Sequence, residues 1–258
     1  MNDLHHVAVL GDRLFVANTG LGAVDVLDLD GRFHGSHGLL PTWANARRLG
    51  GDDFPAEAPP VQPGWTGATP PPWPPASTEP GYYSADRRSA PFHQLKVPDY
   101  LHVNHVARVR DRLLATCFAD GTLRDLHDFT VAARFSGHFL HDGFAQADTV
   151  WLTAIDGSVI ELDASTLQER RRHQAFATGH HGWCRGLAVS DAQLAVGLTE
   201  VRSGRLPRHR WADRSPEGSE TSVLLLDRAS GRLLARADLT DPARHAKIYS
   251  VLPLEEVP

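Results

Sequence analysis

From Leu4 the chain reads Leu-His-His-Val-Ala-Val-Leu-Gly-Asp-Arg-Leu-Phe-Val-Ala-Asn, two alternating apolar runs broken by a polar Gly-Asp-Arg turn. The same order returns at Val103 to Cys117 and at Leu140 to Ala154, with Asp12, Asp111 and Asp148 in register. Each unit predicts a strand, a tight turn at the aspartate and a second strand. A glycine-containing turn (Gly20 to Gly22, Asp120-Gly121, Asp156-Gly157) then leads into a third strand such as Ala23 to Leu29 or Val159 to Leu162, and a fourth strand follows. A further unit runs through Cys184 to Val189, Leu194 to Gly197, Ser222 to Leu226 and Leu233 to Ala237. Asp163 to Ala175 contains helix-compatible residues, but it opens with Asp-Ala-Ser-Thr, a turn sequence between two outer strands. The expected fold class is therefore all-β.

The second and third units start 37 residues apart, close to the repeat length of propeller blades. A strand, Asp-Gly, a strand closing on Leu-Asp and a turn is a pattern that resembles the blades of the regucalcin, gluconolactonase and NHL-type β-propellers. The resemblance covers about three blade motifs and implies one β-propeller domain over residues 1–258. The unit count predicts five blades. Ile248 to Pro253 matches an inner strand, so the last blade lacks outer strands of its own. Two insertions interrupt the repeat. Residues 41–98 hold 13 of the 18 prolines together with Trp43, Trp65, Trp73, Tyr82 and Tyr83, and so many large aromatics predict an ordered lid over a plain linker. Residues 200–221 carry five arginines around Trp211, Arg208 and Arg210 among them.

At 41% hydrophobic and 22% charged residues the chain can bury a core, which excludes global disorder. A net charge of −5 gives no basic field to hold nucleic acid. No apolar run approaches membrane-span length and Met1 to His6 is not signal-like, so no membrane partner and a cytoplasmic location are expected. Cys117 and Cys184 are the only cysteines, which leaves no thiolate zinc knuckle and no disulfide framework. Any metal site must therefore draw on the 15 histidines.

Alignment of the units places His5, Asn104, His141 and Arg185 at one position of the inner strands, with Lys247 as a fifth candidate. The next position holds His6, His105, Asp142, Gly186 and Ile248. Two imidazoles and a carboxylate, His6, His105 and Asp142, form the ligand set that leaves open positions on iron(II). His5 and His141, with His102 or His181 approaching from loops, give a mostly imidazole alternative. Neighbouring residues on a regular strand face opposite ways, so only one of the two sets can point inward. The metal candidates are thus His5, His6, His105, His141 and His181, for a divalent transition metal: iron first, then zinc, copper or manganese, with calcium disfavoured. Asp142 and Arg185 are the catalytic candidates, as proton-transfer group and anion-orienting group, and Asn104, Trp183, Arg208 and Arg210 the substrate-binding ones.

The expected function is a metal-dependent enzyme acting on a small molecule or peptide, an anionic one among the candidates, as a non-haem-iron-type oxidoreductase. A lactonase-like hydrolase is what the gluconolactonase resemblance implies. There the family's axial ion is held by Glu, Asn and Asp; Asn104 and Asp142 match loosely, but His5 or His6 stands in place of the glutamate. The third reading is a noncatalytic protein-binding propeller.

Overall fold

The computed structural model describes residues 4–19, 22–39, 101–118, 120–128, 130–136, 139–201, 218–240 and 247–252. The 41–98 insertion lies outside these residues, as do Arg208 and Arg210. The chain divides into two compact units, Met1–Gly137 and His138–Pro258. Among the described residues each unit contains two four-stranded antiparallel sheets in simple meander order, the arrangement of a propeller blade.

In the first unit, β1 (Leu4–Leu10), β2 (Arg13–Asn18), β3 (Ala23–Asp28) and β4 (Phe33–Gly38) form one sheet. The other is β5 (Val103–Val109), β6 (Arg112–Cys117), β7 (Thr122–Asp125) and β8 (Val131–Arg134). Phe15, Val24, Val26, Leu101, Val106 and Leu113 interlock as their common core. In the second unit, β9 (Leu140–Ala145), β10 (Thr149–Ala154), β11 (Ser158–Asp163) and β12 (Glu169–Gln174) form a third sheet. The fourth is β13 (Trp183–Val189), β14 (Gln193–Thr199), β15 (Ser222–Asp227) and β16 (Leu233–Asp238). Trp151, Phe176, Leu187, Val196 and Leu224 anchor that core. Middle strands carry the apolar load, while β16 is mostly exposed, as befits an outer strand.

The turn chemistry repeats as faithfully as the strands. All four third strands end in aspartate, and each carboxylate accepts a backbone N–H of the turn that follows. Arg32 N donates to Asp28 at 2.7 Å, His127 N to Asp125 at 2.8 Å, Ser165 N to Asp163 at 2.8 Å and Ser230 N to Asp227 at 2.7 Å. This is why β3 stops at Asp28 and does not run on to Leu29, and why Asp163 to Ala175 becomes a turn and a strand.

Every inner strand also departs from regular pairing near its start. On β1, Leu4 pairs with Asn18 and His6 with Ala17, leaving His5 as an extra residue. On β5, Val103 pairs with Cys117 and His105 with Thr116, leaving Asn104 extra. On β9, His141 and Asp142 together oppose Thr153; on β13, Arg185 and Gly186 oppose Gly197. Each is a one-residue β-bulge at the same place in the repeat, and a bulge interrupts the strict alternation of side chains. The expectation that only one of two adjacent positions could serve a site assumed a regular strand, and the inner strands are irregular at those positions.

Hydroxyls at the ends of second strands tie each sheet to the inner strand that follows it within the unit. Thr19 Oγ1 donates to the Val103 carbonyl, and Thr153 Oγ1 to that of Arg185 at 2.8 Å. Thr199 repeats the contact on the segment after the fourth sheet, donating to Ile248 O at 3.2 Å and accepting from Ile248 N at 3.0 Å. That segment, expected as an inner strand over Ile248 to Pro253, is not in a strand across its described part, 247–252. It is held by a side chain and by a bare backbone surface instead of a hydrogen-bond ladder. A Cβ on Gly186 would sit 2.9 Å from Ser250 C and Val251 N, and one on Gly197 2.6 Å from Ile248 Cγ2. Glycine in a strand interior marks such a close approach.

No helix among the described residues is long and apolar enough to cross a membrane. Gly186→Ala is expected to destabilise the protein by about 1–3 kcal/mol through overpacking. Urea unfolding measures the loss, and amide exchange at Ile248 should quicken more than exchange in β14; unchanged exchange at Ile248 would contradict the close approach.

Candidate functional site

The bulges of β1 and β5 present their histidines to one another. The rings of His6 and His105 have centroids 4.0 Å apart at a 44° tilt, and each offers a ring nitrogen within 4.8 Å of the other's. His105 is 6% exposed. Burial disfavours the imidazolium, holding His6 down to about 4; burial and then the neighbouring His6 keep His105 well below the usual histidine range. Both rings are therefore neutral at pH 7, the state in which imidazole ligates metals.

His6 has one nitrogen committed. Its Nδ1 accepts from Val106 N at 3.3 Å, which directs a ligand to Nε2. The neutral ring that accepts at Nδ1 carries its proton on Nε2, so a metal there shifts the proton to Nδ1 and gives up this long hydrogen bond. The pair fits a divalent transition metal at that cost, with two imidazole donors.

One residue earlier, His5 meets His102 edge-on, centroids 4.8 Å apart, and His102 in turn lies 4.9 Å from Phe118. His102 has φ of 51°, a left-handed conformation uncommon for a side-chain-bearing residue, and its carbonyl accepts from Phe118 N at 3.1 Å. Asn104, the bulge residue of β5, is buried. The first unit thus brings together His6 with His105 and His5 with His102.

In the second unit Asp142 is 4% exposed, and both carboxylate oxygens serve the backbone. Gly143 N donates to Oδ1 at 2.9 Å and Leu187 N to Oδ2 at 3.1 Å, while Asp142 N donates to Thr153 Oγ1 at 3.1 Å. Burial outweighs these hydrogen bonds and pushes the carboxyl up to about 7. Asp142 and His6 consequently do the same work in the two units: each accepts from the backbone N–H of the next inner strand, just after its bulge. His141 is buried beside Asp142. His181 stands edge-on to Phe176 at 6.4 Å, and its carbonyl accepts from Glu220 N.

Arg185 lies over the ring of Trp183, 4.8 Å from its centroid, joining a catalytic and a substrate-binding candidate. It also lies 5.3 Å from the centroid of Tyr249, a contact the sequence pattern did not reveal. The interior glycines Gly186 and Gly197 were the available signal, since they mark where a second backbone comes close. Cys184 is fully buried and its thiol is pushed far above the ordinary range, so it is an inert core residue.

No family model matches the chain, and no curated protein matches it. Among solved structures it is similar to the computationally designed Ika8 protein, at 14% identity and a TM-score of 0.44, covering 91% of this chain and 61% of that one. It is similar to the WD40 domain of Neurospora crassa Pan2, at 10% identity and a TM-score of 0.44, covering 92% and 66%. The designed Ika4 protein gives 18% identity and a TM-score of 0.35 over 53% and 72%. The chain thus spans less than two thirds of the first two.

The raised Asp142 makes a signed prediction. Its folded-state value of about 7 lies above the ordinary 3.8, so its stabilisation is complete below pH 3.8 and is lost as pH rises towards 7. The stability advantage of the native protein over Asp142→Asn should shrink between pH 4 and 8, by up to about 4 kcal/mol. Chemical unfolding across that range measures it; a constant gap would mean that Asp142 ionises normally.

Proposed function

We propose that the chain is a five-bladed β-propeller metalloenzyme in which His6 and His105 hold a divalent transition metal, iron before zinc, copper or manganese. The substrate is a small molecule or peptide. The single observation that carries this reading is the meeting of two imidazoles, each kept neutral by burial, at equivalent bulges of two inner strands. Four blade-type sheets support the propeller, and the repetition on Ile248 of the threonine contact made to Val103 and Arg185 supports reading that segment as the start of a fifth blade.

His6 and His105 would hold the ion, which when bound would supply Lewis-acid or redox chemistry to the substrate. Around it the protein's own contributions are positional. His105 is fixed by burial among the first unit's core strands, and the Val106 amide orients the His6 ring before an ion binds. Neutrality at pH 7 means that no proton must leave an imidazolium before binding. The redox reading is preferred to hydrolysis because the donors are imidazoles.

A second reading is favoured by one specific observation. His6 and Asp142 perform the same backbone-accepting role, which is what a noncatalytic scaffold needs from them. The two readings part on metal content. Protein purified without chelator should carry close to one equivalent of transition metal by elemental analysis, and His105→Ala should lose at least 90% of it while keeping its far-ultraviolet circular dichroism. Metal-free native protein after supplementation with iron(II), zinc and manganese would eliminate the enzyme reading and leave the scaffold.

A further inference from the structure

The sheets share a second irregularity, on their outer strands. On β4, Gly35 pairs with Val26 and Phe33 with Leu27, which leaves His34 as an extra residue. Ala132 on β8, Arg170 on β12 and Leu234 on β16 are extra in the same way. Each stands two places after the residue whose carbonyl accepts the N–H of the aspartate closing the third strand. A bulge re-aims its side chain, and here the target is that aspartate. Arg170 Nη2 donates to Asp163 Oδ2. Ala132 is too short to reach, and in its sheet Arg112, the first residue of β6, donates to Asp125 Oδ2 at 2.7 Å instead. The closing aspartate thus takes its cation from the outer strand in one sheet and from the second strand in another.

The sheet of β1 to β4 holds both kinds of cation. Arg13 opens β2 as Arg112 opens β6, and His34 is the bulge residue of β4. Arg13 Nη1 lies 3.2 Å from His34 Nε2, and Asp28 Oδ2 lies 3.5 Å from the same nitrogen. A guanidinium only donates, so its contact requires a lone pair on Nε2 and the ring proton on Nδ1. A carboxylate only accepts, so its contact requires a proton on Nε2. One nitrogen cannot meet both demands, and the two neighbours select different protonation states of the ring. Among the described residues, two more charged groups border the cluster. Asp12 Oδ2, in the turn before β2, lies 3.8 Å from Arg13 Nη2, and Arg32, in the turn before β4, donates its backbone N–H to Asp28 Oδ1 at 2.7 Å. The His34 and Asp28 side chains are 28% and 23% exposed, open enough to exchange protons with water and covered enough to escape full screening.

We infer that His34 is a proton-operated switch at the outer margin of this sheet: neutral, it accepts from Arg13; protonated, it donates to Asp28 and releases Arg13 towards Asp12. The charged state reproduces the Arg170 to Asp163 contact of β12, with a cation that can be withdrawn. Histidine suits such a device because its charge can change close to neutral pH. The switch is independent of the metal reading, since His34 lies on the outer strand and His6 on the inner one.

Nitrogen-15 NMR of the full chain, titrated from about pH 9 to about pH 5, tests the switch across the range in which histidine changes charge. The His34 ring is identified by its loss in His34→Gln. At the alkaline end the ring is expected as the Nδ1–H tautomer, the one that leaves Nε2 open to Arg13. Acidification should protonate the ring and move the Arg13 side-chain N–H signals with the same midpoint. Asp28→Asn, which keeps an oxygen for the Arg32 amide, should lower that midpoint by about 0.5 pH or more, and Arg13→Gln should raise it by about as much. An Nε2–H tautomer at the alkaline end overturns the switch, as does a midpoint left unmoved in either folded variant. If one variant does not fold, the tautomer and the other variant decide.

Discussion

A one-residue bulge at the start of each inner strand is the constraint from which the chemistry of both units follows. A bulge costs the ladder a pairing and leaves backbone groups that must be satisfied, because a buried orphan donor is expensive. Side chains meet that demand. Thr153 accepts from the Asp142 amide and donates to the Arg185 carbonyl, Asp142 accepts from the Leu187 amide, and His6 accepts from the Val106 amide. The polar residues found there are thus required by the backbone, and their burial follows from the same geometry. Burial in turn sets their protonation, with neutral imidazoles at His6 and His105 and a carboxyl raised at Asp142.

Much of the fold was legible because the repeat is written in local chemistry. Alternation fixed the strands, and the aspartate closing each third strand fixed the turns, since both depend on neighbours within a few residues. The same periodicity misled at the bulges. Strict alternation sets His5 against His6, and only the pairing of Leu4 with Asn18 and of His6 with Ala17 reveals the extra residue. Aligning the units did pick out the columns in which the bulges fall, because the bulge recurs at the same place and aligned columns survive an irregularity that period counting does not.

Long-range docking was the part the sequence concealed. Ile248 to Pro253 has the composition of an inner strand, yet its described residues are held by one threonine and two glycines. Its consequence, Tyr249 over Arg185, joins residues 64 apart in sequence, and no spacing rule connects them. Trp183 was readable from adjacency, being two residues from Arg185 on the same strand.

The aspartates that close the third strands have an effect beyond marking where β3, β11 and β15 end. Hydrogen bonds from the following turn hold the carboxyls of Asp28, Asp163 and Asp227 below the usual range. Such a group lends its support above its unfolded value and withdraws it as acid brings it through the folded one. Three sheet margins, in two separate units, thus give up this support together only in strong acid, whereas the buried imidazoles of His6 and His105, held below the ordinary histidine range, weigh against the folded state already as pH falls below 6.5. The first protons added on acidification are therefore felt in the interior.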